Sequence, residues 1–422
     1  QGRNDLSTLS EEGKIQAIET GKTLANLPID HVYSSPLQRA AETTKNILEQ
    51  RNESLKPIYT NGLLEVDLGE WSGLTQDEVK LKFPEAYRTW RKDPKQLSIR
   101  KKDGNCFNPI DELINQTKDF LKSLLTRHSP EKDQTILLVG HNAILRCILL
   151  SLIGDPPLGF RRLQIDNASI SIVNLNSIEQ DPYDIQIECL NSTTHLNPVL
   201  PLKKGNSRLI LVRHGETNWN KEGRFQGQID IPLNQTGKKQ ASAAGLFLQN
   251  FPINKAFSSI MSRPRETTEI ILQHHHNLKI DLQESLKEIG HGEWEGKLET
   301  EIKLDWPQLL TNWKKSPETV EMPSGESINQ VWERSINCWI KISKSLMQGE
   351  TALVVAHDAV NKTILCHLLG LQPQDIWMVK QGNGGINIID IPEEPNQPSI
   401  VTCLNITSHL GGLLDKTAAG AL

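Results

Sequence analysis

The chain has 422 residues, enough for two domains of ordinary size, each able to bury its own core. Hydrophobic residues make up 37% and charged residues 23%, with a formal net charge of −5, so bulk charge argues against nucleic-acid binding and against disorder. No apolar run approaches the roughly 18 residues of a membrane span, and the longest, "ILRCILLSLIG", has the length of a core helix.

Taken in chain order, the landmarks of the first half return in the second. The opening "QGRNDLSTLSEEGKIQA" answers to "FQGQIDIPLNQTGKKQA" (Phe225 to Ala241), and "VYSSPLQRAAETT" (Val32 to Thr44) to "AFSSIMSRPRETT" (Ala256 to Thr268). "LLEVDLGEWSG" (Leu63 to Gly73) matches "LKEIGHGEWEG" (Leu286 to Gly296), and "ILLVGHNAILR" (Ile136 to Arg146) matches "ALVVAHDAVNK" (Ala352 to Lys362). Even the ends agree, "CLNSTTHL" with "CLNITSHL". The chain therefore reads as a tandem duplication joined near "NPVLPLKKGNSR": a first domain over 1–196, a linker over 197–207 and a second domain over 208–413.

In the second half "RLILV", "KAFSS" and "TALVVAH" read as strands, and "TGKKQASAAGLFLQ", "RETTEIILQHH" and "AVNKTILCHLLG" as helices. Continuously apolar strands separated by helices predict a mostly parallel, buried sheet covered on both faces, so each half is expected to be a three-layer α/β/α sandwich. Ligands in such folds bind at the carboxyl ends of the strands, where Arg213, His214, Ser258, Ser259 and His357 fall.

The six cysteines (Cys106, Cys147, Cys189, Cys338, Cys366, Cys403) include no C-x-x-C, and four lie in apolar runs, which fits free thiols in a reducing compartment. The location read from this is cytoplasmic, or the plastid stroma if a leader has been removed ahead of Gln1.

In "LVRHGETNWN" an Arg and a His follow a buried strand at a sharp turn, where exposed backbone N–H groups are expected to favour an anion. Arg263 follows a second strand and His357 ends a third. Two guanidinium forks and two imidazoles at one edge suit a phosphoryl group, whose oxygens need several donors at once. No carboxylate cluster accompanies them, so the arrangement does not look like a Mg²⁺ or Zn²⁺ centre.

R-H-G alone is a weak signal. "RHGETNWN", then S-S-x-x-x-R, then E-x-x-x-G-x-W-E-G, then a strand ending in His together resemble the histidine phosphatase superfamily, the phosphoglycerate-mutase-like proteins, and tandem units of this kind resemble two-domain members from cyanobacteria and plastids. The resemblance implies that His214 is the nucleophile forming a phosphohistidine, neutral at its attacking nitrogen. It implies that Arg213, Arg263 and His357 hold the phosphoryl oxygens, with Gly215 and Asn220 lining the pocket, that Glu288 protonates the leaving group and then activates water, and that no metal or organic cofactor is required.

The bland readings are a solvent-facing turn for Arg213 and His214 and a surface carboxylate for Glu288. His291, beside the motif, is read as a solvated loop histidine rather than a pocket member, and "QHHHN" (Gln273 to Asn277) as a solvated helix end without metal-ligand spacing. His195 and His409, which recur in the end motifs, are read as structural, and "RKDPKQLSIRKK" (Arg91 to Lys102) as a charged face or loop.

The compact insertion "KLETEIKLDWPQLLTNWKKSPETVE" resembles the phosphatase branch more than the longer, basic cap expected of mutases. The first reading is thus metal-independent hydrolysis of a small phosphorylated metabolite, with no nucleic-acid or membrane partner and an open oligomeric state. The alternatives are a cofactor-dependent phosphoglycerate mutase, an isomerase, or a first domain that only binds phosphorylated ligands. In that first domain Arg39 matches Arg263, Glu65 matches Glu288 and His141 matches His357, while the counterpart of His214 would precede Gln1. The expectation is an N-terminally shortened chain, with an apolar run ending in R-H-G upstream.

Overall fold

Residues 2–101, 103–128, 133–154, 159–177, 184–203, 205–275, 278–394 and 397–417 are described by the computed structural model. Gln1, Lys102, Lys204, His276 and Asn277, which fall in the motifs quoted above, lie outside the described residues. The strands are β1 (His31–Ser34), β2 (Ile58–Tyr59), β3 (Ile99–Arg100), β4 (Cys106–Phe107), β5 (Ile136–Val139), β6 (Ile170–Ser177), β7 (Asp184–Ser192), β8 (Ser207–Arg213), β9 (Lys255–Ser259), β10 (Ile280–Gln283), β11 (Thr351–Ala356), β12 (Ile386–Ile391) and β13 (Ile400–Ile406). The backbone falls into two compact units: Gln1–Ile170 with Leu175–Ile185 and Thr193–Pro201, and Leu202–Leu422 with Ser171–Asn174 and Gln186–Ser192. Two short pieces of the first repeat's closing hairpin thus belong to the second unit.

In the first unit β2, β1 and β5 form a parallel sheet in that order, with Tyr33 opposite Ile58 and Leu138. The intervening helices include Glu11–Leu24, Gln38–Leu48, Pro109–Arg127 and Asn142–Leu152. Ser10 starts the first of these by accepting the Gly13 N–H at 3.1 Å, one of the donors a helix start leaves unpaired. Trp71, Val79, Leu97 and Ile99 form a separate apolar cluster, which buries part of the charged run Arg91 to Lys101.

The second unit carries a sheet in the order β10-β9-β11-β8-β12-β13-β7-β6. Its parallel half is β10, β9, β11 and β8; the edge strand β10 exposes Asp281 and Leu282, but the inner strands β8 and β11 have no polar-out alternation: Leu209, Ile210, Leu211 and Val212 of β8 and Ala352 to Ala356 of β11 are all buried. Water is excluded from both faces, as a continuous apolar run requires. β12 runs antiparallel to β8, and a buried fork from Arg208 Nε and Nη2 to the Asp390 carboxylate, at 2.6 and 2.8 Å, sits where those residues are opposite in the register. Because Ala356 lies opposite Arg213 and Val355 opposite Ser258, the carboxyl ends of β8, β9 and β11 arrive at one level.

Candidate active site

That edge brings His214, Arg263, Glu288 and His357 together. The His214 N–H donates to the Ala356 carbonyl at 3.0 Å, and the two imidazoles of His214 and His357 meet edge to face with centroids 5.1 Å apart. His214 Nδ1 lies 2.7 Å from the Gly215 carbonyl, which only accepts, so Nδ1 carries the proton. The lone pair is therefore on Nε2, which faces Arg263 Nε at 3.3 Å. Burial, then the charges of Arg263 and Arg213, hold the His214 pKa well below its ordinary value, so the attacking nitrogen is unprotonated at neutral pH.

Arg263 is fixed by the loop before it: Nη2 donates to the Gly227 carbonyl at 2.7 Å and Nη1 to that of Ile229 at 3.2 Å. The Gln226 amide is oriented with its oxygen toward the guanidinium, 2.9 Å from Nε and 3.1 Å from Nη1, and its nitrogen 2.7 Å from Thr217 Oγ1. Burial lowers the Arg263 pKa to about 10, still far above neutrality, so the cation persists. Arg213 Nη1 donates to the Gln381 carbonyl at 2.5 Å, while its Nε, buried, has no protein partner. His357 Nε2 meets Ser259 Oγ at 3.0 Å and its Nδ1 is likewise unpartnered and buried. An orphan donor such as Arg213 Nε is costly unless something fills the site, and an anion satisfies it; His357 Nδ1 would serve the same anion in the tautomer that carries its proton there.

Glu288 is 5% exposed. Its Oε1 accepts the Ile289 N–H at 3.0 Å, and its Oε2 accepts the Asp358 and Ala359 N–H groups at 3.0 and 3.4 Å, at the start of the helix Asp358–Leu369. Burial, then the neighbouring Asp358 carboxylate, raise its pKa against the pull of Arg263 and the backbone donors. Protonation is thus easier than for an ordinary glutamate, as a general acid requires. Arg334 clamps the loop by donating to the Ser285, Lys287 and Glu288 carbonyls at 2.9, 2.6 and 2.9 Å.

The turn after β8 corrects one expectation. Its N–H groups are not a free anion cradle: those of Gly215, Glu216 and Thr217 donate to Thr267 Oγ1, Gln240 Oε1 and Asn220 Oδ1 at 3.2, 2.8 and 3.1 Å. Gly215 is needed for close packing, since a Cβ there would lie 2.3 Å from the Gly237 carbonyl oxygen. Asn220 Oδ1 is spent capping the short helix Asn218–Glu222 and accepting from Asn383 Nδ2 at 3.4 Å. Side chains, not backbone, supply the donors for a phosphoryl group.

His291 is the second correction. It is fully buried, edge-on to Phe225 and Trp313 at 5.1 and 6.1 Å, and burial pushes its pKa down to about 3. The matching residue of the first repeat is Leu68, so the position is an apolar slot occupied by a histidine. His195 Nε2 and His409 Nε2 lie 3.0 and 3.1 Å from the carbonyls of Ala168 and Gly384, at equivalent loops of the two repeats. His274 is exposed at the end of its helix.

Sequence reasoning missed Asp358 and Asn383. Asp358 pairs with Lys362 Nζ at 3.1 Å and lies 3.8 Å from Arg213 Nη1, and the signal was a carboxylate at the start of a helix directly after His357. Asn383 donates to the His214 carbonyl at 3.1 Å from the turn "QGNGG", which offered no periodic signal.

The first unit repeats much of this geometry. Arg39 Nη1 and Nη2 donate to the carbonyls of Asn4 and Gly2 at 3.0 and 2.8 Å, the counterparts of Ile229 and Gly227. Glu65 accepts from Val66, Ala143 and Ile144, and burial raises its pKa. His141 Nε2 meets Ser35 Oγ at 2.8 Å, and burial lowers its pKa to about 4.

A neutral imidazole nitrogen flanked by two arginines, with a second imidazole and a buried carboxyl across the crevice, is an arrangement with the donors and the acid that phosphoryl transfer needs. A family model described as histidine phosphatase superfamily (branch 1) matches residues 1–186 and 209–403, and the chain belongs to that superfamily. It is similar to a probable 2-carboxy-D-arabinitol-1-phosphatase of Arabidopsis thaliana, 26% identical over 97% of this chain and 84% of that protein. It is similar to phosphoserine phosphatase 1 of Hydrogenobacter thermophilus, 32% identical over 48% of this chain and 94% of that protein. A 2,3-bisphosphoglycerate-dependent phosphoglycerate mutase of Cytophaga hutchinsonii is 31% identical over 46% of this chain and 91% of its own length. The family and its relatives make the chain a phosphatase of the histidine phosphatase superfamily, and among the described residues no helix is long and apolar enough to cross a membrane.

Proposed function

We propose that the second repeat hydrolyses phosphomonoesters of small metabolites through a phosphohistidine on His214. The observation that carries this is the His214 tautomer: Nδ1 is held on the Gly215 carbonyl and the Nε2 lone pair stands beside Arg263. Nε2 attacks phosphorus while the bond to the leaving oxygen breaks, and Glu288 delivers its proton to that oxygen. Water then attacks the phosphohistidine, Glu288 recovers a proton, and the P–N bond breaks to release phosphate and neutral His214. Arg213, Arg263 and His357 hold the phosphoryl oxygens through both steps.

The substrates in the relatives' names are small phosphorylated acids, and we take that class as the substrate here. A reducing compartment such as the cytoplasm is supported by six free cysteines, five of them buried. The test is phosphate release from p-nitrophenyl phosphate in EDTA, followed by a panel of phosphorylated acids; retained activity in His214→Ala overturns the mechanism. Resemblance to a mutase supports a second reading, and bisphosphoglycerate-dependent interconversion of phosphoglycerates outpacing hydrolysis would establish it. For the first repeat, Arg39, Glu65 and His141 in matching positions support binding of phosphorylated ligands.

A further inference from the structure

Arg213 and His214 are held by one loop, Gln381 to Gly385. Arg213 Nη1 donates to the Gln381 carbonyl at 2.5 Å, Asn383 Nδ2 to the His214 carbonyl at 3.1 Å, and the Gly384 N–H to the Arg213 carbonyl at 3.1 Å. Part of what holds the loop is contributed by β7, which comes from the first repeat. Val379 bridges Ile187, and the Lys380 N–H donates to the Ile187 carbonyl at 3.1 Å. Lys380 Nζ reaches both carboxylate oxygens of Glu188, at 2.8 and 3.1 Å. On the other side of Gln381, the Gly382 N–H donates to Asn405 Oδ1 at 2.8 Å, and Asn405 Nδ2 donates to the Glu188 carbonyl at 2.8 Å. The chain end joins the same carboxylate: the Asp415 N–H donates to Glu188 Oε1 at 2.8 Å, and Thr417 Oγ1 accepts the Asn383 N–H at 2.9 Å.

Glu188 is 4% exposed, and a buried carboxylate persists only if it is paired and hydrogen-bonded. The matching residue of "CLNITSHL" in the second repeat is Thr402, so this carboxylate is not a relic of the repeated motif. Lys380 pairs with the Glu188 carboxylate and Asn405 donates to the backbone carbonyl of the same residue, one on each flank of the one carbonyl that Arg213 uses.

We infer that Glu188, a residue of the first repeat, is a positioning residue for the phosphoryl site of the second: through Lys380 and Asn405 it sets the Gln381 carbonyl and hence the Arg213 guanidinium. Arg213 then keeps its Nε turned to the anion instead of relaxing onto a protein acceptor. The second site thereby depends on the first repeat's hairpin, which gives the duplication a mechanical role apart from any chemistry in the first pocket.

This inference rests on the second pocket being the phosphoryl site, and the experiment separates the two. Full-length chains carrying Glu188→Gln, Lys380→Gln, both changes, or Lys380→Arg are compared for orthophosphate affinity by calorimetry, for p-nitrophenyl phosphate turnover and for thermal midpoint. Each charge-removing single variant is expected to weaken orthophosphate binding and lower kcat/KM about tenfold, and the double variant no more than either single, the mark of one shared interaction. Lys380→Arg is expected to stay within about twofold of the parent, because it keeps the charge. Unchanged phosphate affinity in folded Glu188→Gln, additive losses in the double variant, or losses that merely follow the unfolded fraction overturn the positioning role. A parent chain that binds orthophosphate in a Glu188-dependent way without turnover upholds the positioning role and overturns hydrolysis. A parent chain that binds no orthophosphate overturns both.

Discussion

β11 and β5 are the same strand written twice, and they differ in what lies beside them. β11 pairs with β8 on one side and β9 on the other and is buried along its whole length, whereas β5 pairs, among the described residues, with β1 alone and leaves Ile136, Leu137 and Leu138 partly exposed. Yet Arg39, Glu65 and His141 keep the hydrogen bonds of Arg263, Glu288 and His357. In both repeats these contacts run to local loops and helix starts. At the neighbouring position Asn142 replaces Asp358, and its Nδ2 donates to the Ile165 carbonyl at 2.5 Å, the counterpart of the Gln381 carbonyl that Arg213 takes.

The comparison breaks most sharply at the nucleophile. His214→Ala is expected to lower p-nitrophenyl phosphate hydrolysis by at least about 10³-fold, since the covalent step is lost. His141→Ala should leave that activity within about twofold; a large loss would mean that catalysis is not confined to the second repeat. Next come the arginines: Arg263→Ala should reduce kcat/KM by about 10²–10³-fold, the cost of removing a preorganised donor to the transferring group, with Arg39→Ala nearly silent.

Glu288→Gln tests the acid. Because burial raises the Glu288 pKa and the protonated form is the competent one, activity should fall as pH rises through that pKa, and the variant should lose this limb while kcat drops about 10²-fold. A pH profile unchanged in shape would remove Glu288 from the proton-transfer role.

The smallest expected effect concerns stability. His291 has a folded pKa of about 3, below the ordinary 6.5, so the unfolded chain binds the proton that the folded chain refuses. Its neutral burial is therefore fully compatible with folding above about pH 6.5 and is penalised as pH falls from there toward 3. His291→Leu, which copies Leu68 of the first repeat, should stabilise the chain by about 1–2 kcal/mol more at pH 5 than at pH 8, read from denaturant unfolding. Equal shifts at the two pH values would show that the histidine titrates elsewhere than in that apolar slot.

The sequence by itself determined the duplication and the α/β class, and it put Arg213, His214 and His357 at strand ends, because apolar runs ending in charged residues place those groups there; Arg263 and Glu288 were singled out by the motifs that resemble the superfamily. It could not separate a solvated His291 from a buried one, since burial there is supplied by Phe225 and Trp313, 66 residues upstream and 22 downstream. Nor could it show that the turn's N–H groups are consumed by Thr267, Gln240 and Asn220, which share no motif with R-H-G. Glu188 was hidden for the same reason: one carboxylate in an apolar strand gains meaning only when β7 is placed beside β13 and the loop of Lys380. Hydrogen-bond partners distant along the chain are a property of packing, and only the tertiary structure decided them.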